Sequence, residues 1–419
     1  RKMTMEDKKL LQLVSDIGFD MLSYGGEIYR VEETVKRICF AYGIEIVDVF
    51  AIPSTIIVSI TRQEETYSRT RRIISKGTDL DKVDQLNNLS RQLCREKPDY
   101  ISAKEMLRQI RTGIEYPLWM LCGAHGAAAL IFALFFGGNW KDGMWAFPIG
   151  IMIKLVSYGM GKLNANSFFV TVICGALSAL MAGFGAQLHI LDQVSHVLMG
   201  AIMNLVPGLM LTNAMRDIMA GDFIAGLTRI AEAVLIGAGI AVGVMMPLSF
   251  FQSLLGKSSV RGDFLTCLYA AAGVVAFGIV FNLRNKKLLF SAIGGAISWL
   301  AYLLTCRLFT TDIFGYFVAA AVMSIYAEIF ARIHKTPVTI YLVAGLIPLV
   351  PGSGIYRTME YCVMGENQLF WETGLYTLEI AAVIGFAMIC VSSIVRILFT
   401  GRSVCRVYRK IKDYYLCDL

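Results

Sequence analysis

The 419-residue sequence has no Gly-x-x-x-x-Gly-Lys loop, and a chain without that phosphate cradle is a poor candidate for an ATP-driven machine. It has only four histidines, and no His, Cys or acidic cluster falls at metal-ligand spacing, so no cofactor or metal is expected. A Ser, His and Asp set of the hydrolase kind is also missing. Ten cysteines are present, but Cys122, Cys174, Cys267 and Cys390 lie inside apolar runs, where cysteine acts as a small hydrophobe. Charge is scarce too: 17% of residues are charged and 56% hydrophobic. Soluble domains are about 45–50% apolar, so the composition is that of a membrane protein.

The apolarity is uneven. Residues 1–115 are rich in Lys, Arg, Glu and Asp, whereas the long apolar runs lie between about 117 and 400. A soluble N-terminal domain followed by a membrane domain is expected. The opening RKMTMEDKKL is charged and leads into an amphipathic segment, unlike the short apolar core of a signal peptide, which predicts a cytoplasmic N-terminus. The net charge of +7 is not a nucleic-acid footprint, because Arg396, Arg402, Arg406, Arg409, Lys410 and Lys412 crowd the end of the chain. That tail, 406–419 with its approach, reads as a juxtamembrane anchor on the cytoplasmic side.

A span needs roughly 20 mostly apolar residues. Ten candidates meet that pattern, at about 118–136, 144–160, 168–186, 194–213, 224–254, 263–282, 288–306, 312–331, 337–356 and 371–399, with Pro247 ending or kinking the fifth. Ten spans put both termini on one side. With the N-terminus inside, the inner loops carry Lys162, Arg216, Arg284, Lys286, Lys287, Arg332 and Lys335, and the outer loops Lys141, Lys257, Arg261, Arg307 and Arg357. Arg108, Arg111 and the basic tail widen the margin, so both ends are expected in the cytoplasm of a cell-membrane protein.

Two stretches share one punctuation. Leu205-Val206-Pro207-Gly208 is followed by Gly221-Asp222, and Leu349-Val350-Pro351-Gly352 by Gly365-Glu366. The offset is 144 residues, and it also aligns Ile149-Gly150 with Ile293-Gly294, Ile153 with Ile297, Tyr158 with Tyr302, Leu198 with Leu342 and Met215 with Met359. The membrane region therefore divides into 116–260 and 261–405, with five spans each. Five is odd, so the second half enters the membrane from the opposite side. The expected fold is an all-α polytopic membrane domain of ten transmembrane helices, arranged as two inverted five-helix repeats and preceded by a small α/β cytoplasmic domain. Secondary transporters of this kind bind substrate near the midplane, on helices broken by Gly or Pro.

Breaks expose backbone N–H groups that suit a carboxylate. After the first come Thr212, Asn213 and Arg216 on one helical face, and after the second Ser353, Tyr356, Arg357 and Glu360. With Pro207, Gly208, Pro351 and Gly352 these are the candidate substrate residues; the alternative is a loop that turns the chain, its arginines anchored at the interface. Ionisable residues deep in spans usually face a pathway or a partner. Glu232 and Glu379 occupy similar places in the fifth spans and, with Asp217 and Glu360, are candidates for proton coupling; the other reading pairs Glu232 with Arg229. Lys154 is a further candidate that could equally snorkel. Glu328 and Arg332 read as a span-end pair, and His125 and His196 as hydrogen-bonded core residues or proton relays.

In the soluble domain, 6–24 and 28–43 read as amphipathic helices and EIVDVFAIPSTIIVSITRQEETYSRTRRI as strands broken at Pro53-Ser54, with helices at about 79–96 and 102–112. Glu27, Arg30, Glu32 and Ser54 are expected on a solvated face rather than in a catalytic set.

GGEIYRVEETV, IPSTIIVSI, LVPGLMLTNAMRDIMAGD and LIPLVPGSGIYRTMEYCVMGE together resemble the threonine/serine exporter family over nearly the whole chain. The resemblance implies export of threonine or serine driven by the membrane potential or proton gradient, with Asn213, Arg216, Asp217 and Asp222 matching in the first motif and Pro351, Gly352, Arg357 and Glu366 in the second. Similar split pairs are associated with succinate export, so small dicarboxylates are the alternative substrate; a membrane-tethered hydrolase is the second alternative. The expected partners are the small-molecule substrate, protons and the lipid bilayer. Nothing in the sequence specifies an oligomeric state.

Overall fold

A computed structural model of the chain describes residues 5–62, 64–73, 77–113, 115–163, 165–248, 264–309 and 312–415. Lys257, Arg261, the junction at 260/261 and the last four residues of the tail lie outside these ranges.

The N-terminal part is a three-stranded antiparallel sheet covered by helices. α1 (Met5–Ser23) buries Leu10, Leu13, Val14, Ile17 and Met21, the spacing of one helical face, and α2 (Ile28–Ala41) buries Val31, Val35 and Ile38. β1 (Ile46–Ile52), β2 (Thr55–Arg62) and β3 (Glu65–Arg72) pair in that order, with Val49 opposite Val58 and Ser59 opposite Ser68. The chain reverses at Pro53-Ser54, as expected. Ile56, Val58 and Ile60 of the central strand alternate inward onto α1 and α2, and each such buried side chain contributes roughly 1.5–3 kcal/mol. The edge strand β3 carries charge, including Arg69 and Arg71, which meet Asp16 of α1 and blunt the exposed edge. α3 (Leu80–Glu96) and α4 (Tyr100–Arg111) complete the layer.

The second part is helical: α5 (Leu118–Phe135), α6 (Trp140–Lys162), α7 (Ser167–Gln187), α8 (Val194–Ile202), α9 (Gly208–Met219), α10 (Phe223–Leu248), α11 (Leu265–Val280), α12 (Asn285–Leu308), α13 (Asp312–His334), α14 (Val338–Gly345), α15 (Gly352–Met364) and α16 (Asn367–Tyr415). Shifting the first six starts by 144 residues places each within three residues of the start of its counterpart in the second six. The order of elements is therefore repeated, including the division of the fourth span into two helices. Pro247 sits in the last described turn of α10.

Among the described residues, seven helices are long and apolar enough to cross a membrane, or eight if the bent pair Val338–Gly345 and Ile347–Cys362 counts as one span. The ten spans expected exceed that count by two for physical reasons. α11 has 16 residues, about 24 Å of helix against a hydrocarbon core near 30 Å, and α8 and α9 are parted by the turn at 203–207.

The two parts are joined by polar contacts. Leu80 N–H donates to the Phe281 carbonyl (3.0 Å), Asn282 Nδ2 to Asp79 (3.0 Å), Lys287 Nζ to Asp84 (2.5 Å) and Arg91 to the Lys335 carbonyl (2.6 Å). Leu80 itself is buried among Val274, Leu283, Ile340 and Ala344, and Ala225 of α10 joins the soluble core. The membrane segments touched here lie next to Arg284, Lys287 and Lys335, all of them among the residues expected in inner loops.

Candidate functional site

Each Leu-Val-Pro-Gly motif starts a helix rather than interrupting one. α8 has already ended at Ile202, in a turn where the Asn204 amide donates to the carbonyls of His125 (3.2 Å) and Ala201 (3.3 Å). α9 and α15 then begin at Gly208 and Gly352, each directly after a proline that has no N–H to satisfy. The first N–H groups of both helices have no partner within their own helix, and that of Gly352 turns back to the Val350 carbonyl (2.7 Å).

The two motifs meet. A Cβ added at Gly208 would overlap Val350 Cγ1, and one added at Gly352 would lie 2.8 Å from Met203 Sδ and 3.4 Å from Val206 Cγ1. Val206 and Val350 are equivalent at the 144-residue offset, so the contact is reciprocal. The surrounding helices repeat the exchange, α9 packing on α16 and α15 on α10. Gly208→Ala is expected to destabilise the protein by about 1–3 kcal/mol through overpacking, with Val350→Ala restoring the thermal midpoint. A Gly208→Ala protein as stable as the wild type would show that the backbones do not approach this closely.

The Gly-acid pairs prove to be helix ends. Gly221 (φ +98°) and Gly365 (φ +75°) take the left-handed conformation that glycine adopts cheaply, and the next N–H reaches back, Asp222 to the Asp217 carbonyl (2.9 Å) and Glu366 to the Tyr361 carbonyl (3.0 Å).

Arg216 stands at the centre of a chain of charges spanning both parts of the protein. Its Nη1 donates to Glu27 Oε1 at 2.8 Å, and Glu27 Oε2 also accepts from Arg30 Nε at 2.7 Å. On the other side Arg216 Nε is 3.9 Å from Asp217, which is paired with Arg229 at 2.8 Å. Glu27 is 6% exposed, so the expectation of a solvated face fails there. Its local sequence looks like a polar helix start, and only the fold brings it to an arginine 189 positions away. Burial pushes its carboxyl up, but Arg216 and Arg30 outweigh burial and hold it at about 2. Glu32 accepts from the Ala51 N–H (3.0 Å), whereas Ser54 is exposed in the β1–β2 turn.

Thr212 is buried, its hydroxyl donating to the Gly208 carbonyl (3.1 Å), and Asn213 is half-buried one residue on. In the second half Tyr356 is buried with its hydroxyl donating to Glu360 at 3.4 Å, Arg357 lies within electrostatic reach of the same carboxylate, and Ser353 is half-buried. The halves are not chemically identical, since the offset aligns Arg216 with Glu360 and Asn213 with Arg357. Glu232 is half-buried on α10 within electrostatic reach of Arg229. Glu379 is exposed on α16. Lys154 is half-buried within reach of His125, whose Nδ1 is 2.8 Å from the Leu121 carbonyl, while His196 is buried. Glu328 and Arg332 form the expected pair at 3.2 Å.

Two family models match the chain. One, described as "Putative threonine/serine exporter", matches residues 12–251, and the other, "Threonine/Serine exporter, ThrE", matches residues 266–394. The probable threonine/serine exporter of Mycobacterium tuberculosis is 23% identical over 373 residues, 85% of this chain and 70% of that protein. The threonine/serine exporter of Corynebacterium glutamicum is 22% identical over 385 residues, 87% and 78% of the two chains. The probable succinate transporter subunit YjjP of Escherichia coli is 22% identical over 249 residues, 59% of this chain and 97% of that one. No solved structure matches.

Proposed function

Because this chain belongs to the threonine/serine exporter family, we propose that it is a multi-pass secondary exporter of threonine and serine that works by alternating access around its paired helix starts. The observation that carries this reading is the reciprocal contact of Gly208 with Val350 and of Gly352 with Val206. It joins two helix N-termini, each suited to a carboxylate, at the interface of two halves that repeat the same order of elements. A bare N–H there is tolerable only beside protein, water or a ligand.

The charge pattern supports a zwitterion over a dianion. Each candidate arginine has a carboxylate beside it, Arg216 with Asp217 and Arg357 with Glu360. A substrate carboxylate would bind an arginine while its ammonium met the adjoining acid. Asp217 and Glu360, with Glu232 close by, are the carboxylates we assign to proton coupling; Glu379 faces outward from α16 and takes no part. The soluble domain rests beside the positive loops, which supports a cytoplasmic position for that face. Glu27 and Glu32 are committed to structural contacts, which favours transport over a tethered hydrolase.

Competition for labelled threonine uptake into proteoliposomes with an imposed pH gradient tests the reading. Threonine and serine are expected to compete, succinate is not, and flux is expected to collapse with the gradient. Competition by succinate alone would establish the dicarboxylate alternative instead.

A further inference from the structure

The soluble domain is fastened to both halves of the membrane region. Its α3 side grips the second half through the contacts of Asp79, Leu80, Asp84 and Arg91, with the Leu80 side chain buried there. Its α2 side meets the first half through Glu27 on Arg216, with Ala225 packed into the soluble core. The domain therefore bridges the halves, and α9 can shift against the second half only if one of these attachments opens. Several polar contacts and a buried leucine hold the α3 side, so the Glu27 side is the one that gives. Three details of that attachment suit it to release. Glu27 is the N-cap residue of α2, but its side chain does not cap its own helix. It is presented to α9 by a tight turn, in which Gly25 has φ +88° and the Gly26 N–H donates to the Met21 carbonyl (2.8 Å). Its two oxygens serve different arginines, Oε1 taking Arg216 (2.8 Å) and Oε2 taking Arg30 (2.7 Å), so Glu27 keeps a partner on its own helix when Arg216 leaves. Arg216 in turn bonds it through Nη1 alone, its Nε lying 3.9 Å from Asp217, and Asp217 has Arg229. A guanidinium fork binds a carboxylate best through two parallel bonds, so a free carboxylate using both arms would outcompete the one-armed contact.

We propose that Glu27 is a built-in stand-in for the substrate carboxylate: it occupies Arg216 in the resting protein, and an arriving carboxylate replaces it and frees α9 from the soluble domain. The soluble domain is then an autoinhibitory strap across the two halves, opened by the compound to be carried. The backbone of Arg216 stays in place during the exchange, because α16 packs on it closely enough that a Cβ added at Gly385 would lie 3.1 Å from its nitrogen. Only the side chain changes partner. A ligand moves such an equilibrium as far as it binds the released state better than the strapped one, and here the strapped state has no free arginine to offer. This role for Glu27 rests on the transport reading, which makes Arg216 a substrate group.

Hydrogen exchange of the purified full-length protein, with and without saturating threonine or succinate, reads the strap directly. Exchange at residues 26–31 is expected to rise several-fold when ligand is added to the wild type and to stay unchanged in Arg216→Ala. Equilibrium binding of the same labelled compounds is the second measurement. Glu27→Gln keeps the size of the side chain and removes its charge, and is expected to bind on the order of tenfold tighter than the wild type, because a neutral amide competes less well for the guanidinium. A Glu27 that only supports the structure would give the opposite sign, weaker binding. The thermal midpoint identifies a variant that fails to fold, and the wild-type exchange then decides alone. Unchanged exchange in the wild type, or binding no tighter in folded Glu27→Gln, with binding lost in Arg216→Ala, would leave Arg216 as a substrate group and overturn the strap. If Arg216→Ala binds as well as the wild type, the transport site itself is misplaced, and the strap falls with it.

Discussion

Replacing Arg216 by alanine is expected to bring threonine efflux from cells loaded with a threonine-containing dipeptide down to background, measured per amount of protein in the membrane because the variant also strips buried Glu27 of a partner. Arg357→Ala is expected to abolish efflux while membrane insertion stays normal. Arg216 stands about two turns, and Arg357 about one and a half, into a helix whose start meets the other half, and each has a carboxylate within reach. A charge-assisted hydrogen bond to a substrate carboxylate contributes about 1.5–3 kcal/mol, so its loss costs on the order of ten- to a hundredfold in binding. Arg216→Lys keeps the charge but not the planar fork, and is expected to recover only part of the rate. Membrane-fraction blotting separates failed insertion from failed transport. Normal efflux in both alanine variants would remove these residues from the site.

Glu27→Ala has the second large effect, and it reads out in stability. Arg216 and Arg30 then share a buried region without their common carboxylate, and removing one member of such a group costs about 3–5 kcal/mol. A clear drop in thermal midpoint is expected, together with faster proteolysis of the soluble domain. The double variant Glu27→Ala, Arg216→Ala is expected to be less destabilised than the sum of the singles, because the second substitution removes the charge stranded by the first. Acid should have a related effect. The Glu27 carboxyl is lowered from 4.5 to about 2, so its contribution is complete above pH 4.5 and fades as pH falls toward 2. Melting curves between pH 6 and 8 should therefore not report on this pair. Additive single effects would show that Glu27 and Arg216 do not act together.

The soluble domain was largely legible because its order follows local rules. The face of α1 from Leu10 to Met21, the alternation of Ile56, Val58 and Ile60, and the turn at Pro53-Ser54 all lie within a few residues of one another. The duplicated motif was legible for another reason: a repeat compares the sequence with itself and needs no physical model. What it meant locally was less accessible. Pro207 looked like a break within a helix, whereas α8 ends five residues earlier, where the Asn204 side chain reaches His125 across 79 positions. The Gly-acid pairs looked like part of a functional signature, and they close α9 and α15. Glu27 was the largest departure. A glutamate opening a charged helix is ordinarily solvated, and nothing near it in sequence says that an arginine of the membrane half will cover it.

Reciprocity between the halves also describes a mode of assembly. Val206 lies against Gly352 and Val350 against Gly208, so each half presents the same patch to the other, which is the arrangement of an isologous two-fold dimer. The single polypeptide is then equivalent to two subunits whose pairing has been made intramolecular. Covalent continuity contributes effective concentration rather than contacts. Beyond that shared patch the two helices differ in charge, since the 144-residue offset sets Arg216 against Glu360 and Asn213 against Arg357.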